Sequence, residues 1–338
     1  MPKLRRNFLF ATGLVTLALL YTLVILADFF APYGYNDPDP NASLLPPTPI
    51  HWLTVNNRTG FYVYPTQQGP VDLQTGERQL IIDRQNPTPI EFFTRGKLFT
   101  TTGAGKVHLL GTDEQGRDQL SRLLYGGRIS LFIGVIATGI SFTIGTLVGT
   151  ISGYFGGWVD QLLMRLAEVL MSVPKIYLLV GLAAILPPQL SSTQRFLLVV
   201  CVLSSVGWAG LARLIRGKVL SLRERPYVLA SQVMGASTLR TIVYHLVPQL
   251  STDLLILATL EIPGLIEAES VLSLIGLGIQ PPDPSWGNML SIATNPSVIV
   301  LQPWLIWSPV VLIIVTTLAF NVVGDTLRDI FDRKPLSS

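Results

Sequence analysis

Three carboxylates sit inside one otherwise apolar run: Glu261, Glu267 and Glu269, between Leu254 and Ile275. If that run crosses a bilayer, each central acid costs about 2.5–3.5 kcal/mol to insert. At 100° per residue, Glu267 lies about 240° from Glu261 and Glu269 about 80°. The three cannot share one neighbour, so at least one is expected to face a water-filled path or a partner chain; packing acids held by hydrogen bonds are the alternative. The same run holds the breaker pair Pro263-Gly264. Upstream, Asp160, Arg165 and Glu168 open another apolar stretch. Arg165 and Glu168 are i, i+3 neighbours and read as a structural ion pair rather than a transport relay. Pro174, one and a half turns further on, is expected to kink that helix.

A basic segment carries the next signal. Arg213, Arg216, Lys218, Arg223, Arg225 and Arg240 stand against a single acid, Glu224. Within it Tyr227, Ala230, Val233 and Met234 fit an apolar helical stripe, and Gly235 reads as its stop. A short helix broken by glycine and then restarted presents a knob to a partner. A solvated loop that only sets topology would explain the charges but not the stripe.

Other chemistry finds little support in the residues. Thr102-Gly103-Ala104-Gly105-Lys106-Val107 imitates a phosphate loop, but Thr100 stands where the first glycine belongs and Val107 replaces the Ser/Thr that binds magnesium. It reads as a turn. His51, His108 and His245 are far apart and Cys201 is the only cysteine, so neither a local metal motif nor an internal disulfide is expected. An intramembrane enzyme would need a nucleophile–base pair at membrane depth, and no histidine lies near Cys201 in sequence.

These groups need a membrane to position them. Of 338 residues, 49% are hydrophobic and only 13% charged, about half the charge of a soluble domain. A net charge of +3 gives no argument for nucleic acid. Spanning a bilayer takes about 20 helical residues. Six stretches qualify: Phe8–Phe30, Ile129–Ile151, Leu162–Leu186, Phe196–Leu214, Leu254–Ile275 and Leu305–Val323. The first follows Lys3, Arg5 and Arg6; it reads as an uncleaved helix, longer than a signal h-region and without a small-x-small site, cleavage being the alternative. Lys and Arg gather at the N-terminus, in the 213–240 segment and at Arg328, Arg333 and Lys334, whereas loops 187–195 and 277–304 hold only Arg195. Both termini are therefore expected in the cytoplasm.

The expected organisation is a cytoplasmic N-terminus and first helix (1–30), an outward segment (31–125), a helical core (126–325) with a cytoplasmic loop at 213–248, and a cytoplasmic tail (326–338). The outward segment is too long for a simple loop. Ala31–Pro49 reads as a linker. Phe61–Tyr64, Val71–Leu73 and Gln79–Ile82, with a turn signal at Thr75-Gly76, point to a small β-containing subdomain, an ordered loop being the alternative. Gly145, Gly149 and Gly153 recur every four residues, the spacing that lets helix backbones approach closely.

The sequence resembles the permeases of binding-protein-dependent ABC importers. Tyr227–Pro248 is similar to that family's cytoplasmic EAA loop, with Ala230, Gly235, His245 and Pro248 in register, although Leu229 and Ser231 depart from the motif's Glu and second Ala. Leu110-Gly-Thr-Asp-Glu-Gln-Gly-Arg-Asp118, Ser121–Leu131, Gly153–Asp160, Met164-Arg165 with Met171–Pro174, Leu272–Pro282 and Pro284–Met289 resemble the C-type permease of the dipeptide/oligopeptide branch. The resemblance covers about residues 108–330 and the first helix. It implies an all-α polytopic protein of six transmembrane helices in the type I (MetI-like) permease fold, carrying a small outward insertion. It implies a homologous B-type permease, two cytoplasmic ATP-binding subunits that use ATP and magnesium, and an external substrate-binding protein, in a bacterial inner membrane. This chain would hydrolyse nothing and bind no cofactor. Tyr227, Ala230, Ser231, Gly235, Ala236, Ser237, Arg240, His245 and Pro248 would form the ATPase-coupling loop. Glu261 and Glu269, the latter matching the family's Ala-Glu-x-x-Leu-Ser pattern, would face the path or the partner permease. Peptide cargo is implied; nickel, glutathione or another small solute is the alternative within the family, and a stand-alone channel or an intramembrane enzyme outside it.

The charge asymmetry is checked by labelling. In a Cys201→Ser background, a cysteine at Ser43 should react with an impermeant maleimide from outside, and one at Ser237 only from the cytoplasm. Outside reaction of position 237 would reverse the orientation.

Overall fold

A computed structural model describes residues 2–55, 58–71, 78–187 and 189–332. The chain opens with α1 (Pro2–Ile25) and a short α2 (Ala27–Phe30), then six strands: β1 (His51–Val55), β2 (Arg58–Val63), β3 (Thr66–Val71), β4 (Arg78–Ile82), β5 (Thr88–Thr94) and β6 (Lys97–Thr101). The remainder is helical: α3 (Gln119–Phe155), α4 (Gly157–Ser172), α5 (Lys175–Ala184), α6 (Ser192–Leu222), α7 (Pro226–Val233), α8 (Thr238–Thr241), α9 (Val247–Leu274), α10 (Trp286–Met289), α11 (Pro296–Leu301) and α12 (Pro303–Asp332).

Among the described residues, four helices are long and apolar enough to cross a membrane: Phe8–Ile25 of α1, all of α3 and α6, and Pro303–Phe331 of α12. The pair α4 and α5 makes a fifth if taken as one span. That pair departs from the expected kinked helix: the two halves meet at 89°. Proline disfavours helical backbone in the residue before it, and Val173 is extended, with φ −97° and ψ 131°. The second breaker behaves differently, since α9 runs unbroken through Pro263. A helix tolerates such a proline where neighbours re-satisfy the freed carbonyl. The 28-residue α9 covers the fifth expected span but is not among the helices apolar enough to cross, for Asp253, Glu261, Glu267 and Glu269 dilute it.

The chain divides into two compact units. One comprises Met1–Leu17, Phe132–Leu272 and Thr316–Ser338. Within it α3 and α6 approach each other closely. A Cβ on Gly145 would lie 2.9 Å from the Trp208 carbonyl oxygen, and one on Gly153 2.9 Å from that of Arg216. Gly149 faces the Ala212 carbonyl more closely still. Ser141 Oγ donates to the Ser204 carbonyl at 3.1 Å in the same register. Both helices advance four residues per contact in the same sense, so they run parallel. Small residues at this spacing permit such backbone approach.

The other unit comprises Ala18–Leu131 and Ser273–Val315. Its strands form a four-stranded antiparallel sheet in the order β1-β2-β5-β6 and a separate β3–β4 pair. Tyr62 sits opposite both His51 and Pro89, and Phe92 opposite Phe99. Val63, Ile90, Phe99 and Val107 make the sheet's core. The turn expected at Thr75-Gly76 lies outside the described residues. The segment expected as a linker is tied down instead. Leu44 N–H donates to the Asp113 carbonyl, Thr48 N–H to that of His108, and Lys106 Nζ lies 2.7 Å from Asp39 Oδ2. The Lys106 ammonium holds the Asp39 carboxyl below the usual carboxylate range. The lysine of the imitation phosphate loop is thus a clamp.

The signature stretch 110–118 builds the start of α3. Asp118 Oδ2 accepts from Ser121 N–H and Oγ at 2.7 Å each, while its Oδ1 meets His108 Nδ1 at 2.9 Å. Arg117 and Arg122 share Asp113. Trp286, fully buried, donates from its ring nitrogen to the Leu123 carbonyl. These motifs are structural.

Gly149→Val should overpack the α3–α6 contact and destabilise the protein by about 1–3 kcal/mol. Gly139→Val, on the same helix with nothing within 4 Å of its Cβ position, is the tolerated control. Thermal unfolding in detergent compares them; equal midpoints would remove the packing argument.

Candidate functional site

The loop following α6 is anchored on one side and bare on the other. Proline at the first position of α7 starts the helix, where its missing N–H is no loss. Val228 and Leu246 are fully buried against Leu211, Ile215, Val219 and Leu250. Ser231 is buried too, its hydroxyl donating to the Val228 carbonyl, so it belongs to the anchor rather than to the contact face. Arg223 Nη1 caps the end of α3 at the Gly153 carbonyl, 3.1 Å away, and Gln232 Nε2 donates to Tyr154 Oη.

The opposite face carries the predicted stripe. Tyr227 and Ala230 are exposed, and Val233 and Met234 are 89% and 81% exposed. Gly235 ends α7 with φ +84°. Its N–H reaches the Gln232 carbonyl, and Ala236 N–H that of Ser231, the paired bonds of a Schellman cap. Ser237 then caps α8, its hydroxyl accepting from Arg240 N–H. A π-helical turn, Ile242–Leu246, joins α8 to α9 and holds His245 beside the Tyr227 ring. Pro248 is exposed in the first turn of α9.

The acids of α9 divide three ways. Glu261 Oε1 lies 2.7 Å from Lys175 Nζ, at the start of α5. Both line a cavity of about 440 Å³ beside the α4–α5 break. Glu267 is exposed and accepts from Thr317 Oγ1 at 3.1 Å. Glu269 is fully buried. Glu269, expected to face a path or a partner, is enclosed within this chain, as are Leu272 and Ile266.

Arg165 Nη1 and Glu168 Oε2 stand 3.2 Å apart on the surface of α4. Among the described residues of this helical unit, three ion pairs escaped the sequence reading. Asp160 is held by Arg216 of α6 at 2.6 Å and by Ser152 of α3; Lys218 pairs with Asp253; Lys175 pairs with Glu261. Each joins residues more than 30 apart, beyond reach of i, i+4 patterns. The available signal was a lone cation in mid-span: Lys175 has no acid three or four residues away.

Residues 145–336 match the family described as binding-protein-dependent transport system inner membrane component. Residues 2–47 match the N-terminal TM domain of oligopeptide transport permease C. The chain belongs to this family of inner membrane components: it is a permease subunit of an ABC importer, not an enzyme, and ATP hydrolysis resides in a separate subunit. Such a subunit works with a partner permease, ATPases and a binding protein. Among its relatives, the dipeptide transport system permease protein DppC of Bacillus subtilis is 41% identical over 227 residues, 67% of this chain and 69% of that one. The oligopeptide transport system permease protein OppC of Haemophilus influenzae is 40% identical over 67% of this chain and 70% of that one. A solved MetNI methionine ABC transporter in an inward-facing conformation aligns at 19% identity and TM-score 0.44, over 62% of this chain and 95% of that one.

The Asp160–Arg216 contact is tested by a double-mutant cycle. Asp160→Asn alone leaves the guanidinium without its partner, so it should lower the unfolding midpoint more than Asp160→Asn with Arg216→Met. The coupling expected for groups in contact is about 0.5–3 kcal/mol; additive losses would make the pair incidental.

Proposed function

We propose that this subunit forms half of a peptide translocation path and receives the power stroke of cytoplasmic ATPases through its 213–248 loop. One observation supports the reading above others. The face of α7 bearing Val233 and Met234 is bare while its other face is locked into the core by Val228. A loop that only set topology has no reason to hold apolar side chains in water on a rigid base. A helix seated in an ATPase groove has that reason.

In this reading the chain crosses a bacterial inner membrane six times, with both termini in the cytoplasm. The parallel run of α3 and α6 supports it, since helices separated by one crossing point the same way. Residues 31–125 lie outside, 126–325 form the permease core, and 326–338 a cytoplasmic tail. A homologous B-type permease supplies the other half of the path, two ATP-binding subunits use ATP and magnesium below, and an external binding protein delivers cargo. The chain itself binds no cofactor. Peptide cargo follows the names of the relatives. Tyr227, Ala230, Gly235, Ala236, Ser237, Arg240, His245 and Pro248 transmit the stroke, with Ser231 in the anchor; Glu261 lines the path; Arg165 and Glu168 are structural. ATP-driven closure biases the helices from an inward-open to an outward-open state, the logic of two states with different affinity for a ligand.

Gly235→Asp and Val233→Asp test the coupling role. The first adds a side chain where backbone is left-handed, with open space around it in the free chain, so any steric effect arises in a groove. Both variants should reach the membrane and recover the partner permease. ATPase recovery should fall about 10–100-fold, since each 1.4 kcal/mol is tenfold. Full ATPase recovery together with binding-protein-stimulated hydrolysis would sink the assignment.

A further inference from the structure

The cavity beside the α4–α5 break holds two charges and no others. Its walls are apolar side chains such as Phe142, Leu170 and Leu257, with the bare backbone of Gly207 and Gly210. Lys175 and Glu261 are its only ionisable residues, and they pair at 2.7 Å. Both lie near the middle of expected spans, where an ionisable group marks a substrate or ion path. Neither is enclosed: the side chains are 43% and 35% exposed, so this is not a packing pair sealed in a core. Irregular backbone at membrane depth is tolerated where it lines a cavity or is buried in protein, and Val173 lines this one. The volume falls within the range of about 300–1,000 Å³ that small-ligand sites occupy. One cation and one anion in an otherwise apolar chamber complement a short zwitterion.

We infer that Lys175 and Glu261 read the two ends of a peptide in transit, the lysine taking the C-terminal carboxylate and the glutamate the N-terminal ammonium. Without cargo each charge satisfies the other, which removes the cost of a lone charge in the chamber. With cargo the pair parts and each finds its partner on the peptide, so cargo with both ends free crosses at little electrostatic cost. This rests on the peptide-importer reading above and adds what the path recognises.

The test uses the assembled importer in lipid vesicles, with its binding protein fully loaded with labelled trialanine. Lys175→Met and Glu261→Gln should each slow uptake about tenfold or more, one 1.4 kcal/mol step. The exchange Lys175→Glu with Glu261→Lys keeps one cation and one anion in the chamber, so uptake of trialanine should recover at least in part. A structural pair that ignores the peptide ends would carry end-blocked and free trialanine alike, in wild type and exchanged chain, and that result would overturn the inference. Trialanine amide and N-acetyl-trialanine add a second measurement where the binding protein loads them. Wild type should carry both more slowly than trialanine. Lys175→Met should erase the penalty for the amide alone, and Glu261→Gln that for the acetyl. Equal wild-type uptake of all three would also overturn the inference. Failure of wild type to carry any trialanine would instead remove the peptide reading itself, a distinguishable result.

Discussion

The contact between α3 and α6 is the constraint on which the rest of this permease depends. Lipid tails are as apolar as leucine, so no hydrophobic force drives helices together within a bilayer. Association there rests on how closely two surfaces fit. Gly145, Gly149 and Gly153 leave the face of α3 flat, and the carbonyls of Trp208, Ala212 and Arg216 lie against it. Each glycine presents no side chain, and that is its whole contribution. With Ser141 against Ser204, the contacts hold one register over about three turns.

Three other features are then hung from α6. On one side Leu211, Ile215 and Val219 clamp Val228 and Leu246, which turns the bare face of α7 outward. At the same level Arg216 reaches Asp160, bringing in the start of α4. Further up the helix Gly207, Gly210 and Leu214 form a wall of the two-charge chamber. One uninterrupted helix, Ser192–Leu222, therefore carries both the anchor of α7 and a wall of that chamber.

Local patterns made the short helix after α6, its glycine stop and the glycine stripe of α3 readable in advance. The stripe at Tyr227, Ala230, Val233 and Met234 repeats with helical period, and Gly235 is the residue that a left-handed cap requires. Spacing of four residues showed that α3 must meet another backbone, though not which one. The charges were less legible. Periodicity placed Glu261, Glu267 and Glu269 on different faces of α9 but could not say what each face meets. Glu269, whose motif suggested an outward role, is enclosed, and Glu261 meets a lysine 86 residues earlier. Proline gave opposite results at two sites: Pro174 ends a helix and Pro263 does not. Phe61–Tyr64 announced strand structure, but the ties from 39–48 to 108–115 depend on hydrogen bonds between segments about 60 residues apart and could not be read from composition.

The parallel register of α3 and α6 also sets an order of events during biogenesis. The two faces that fit so closely are about 60 residues apart along the chain. At about 5–20 residues per second, roughly 3–12 seconds of translation separate them. For that interval the glycine face of α3 stands without its mate, while α4 and α5 are made. Only when α6 leaves the ribosome does the groove fill. The nascent subunit therefore passes through a stage in which its best-fitting surface is open, and anything that guards such surfaces in the insertion machinery has this window in which to act.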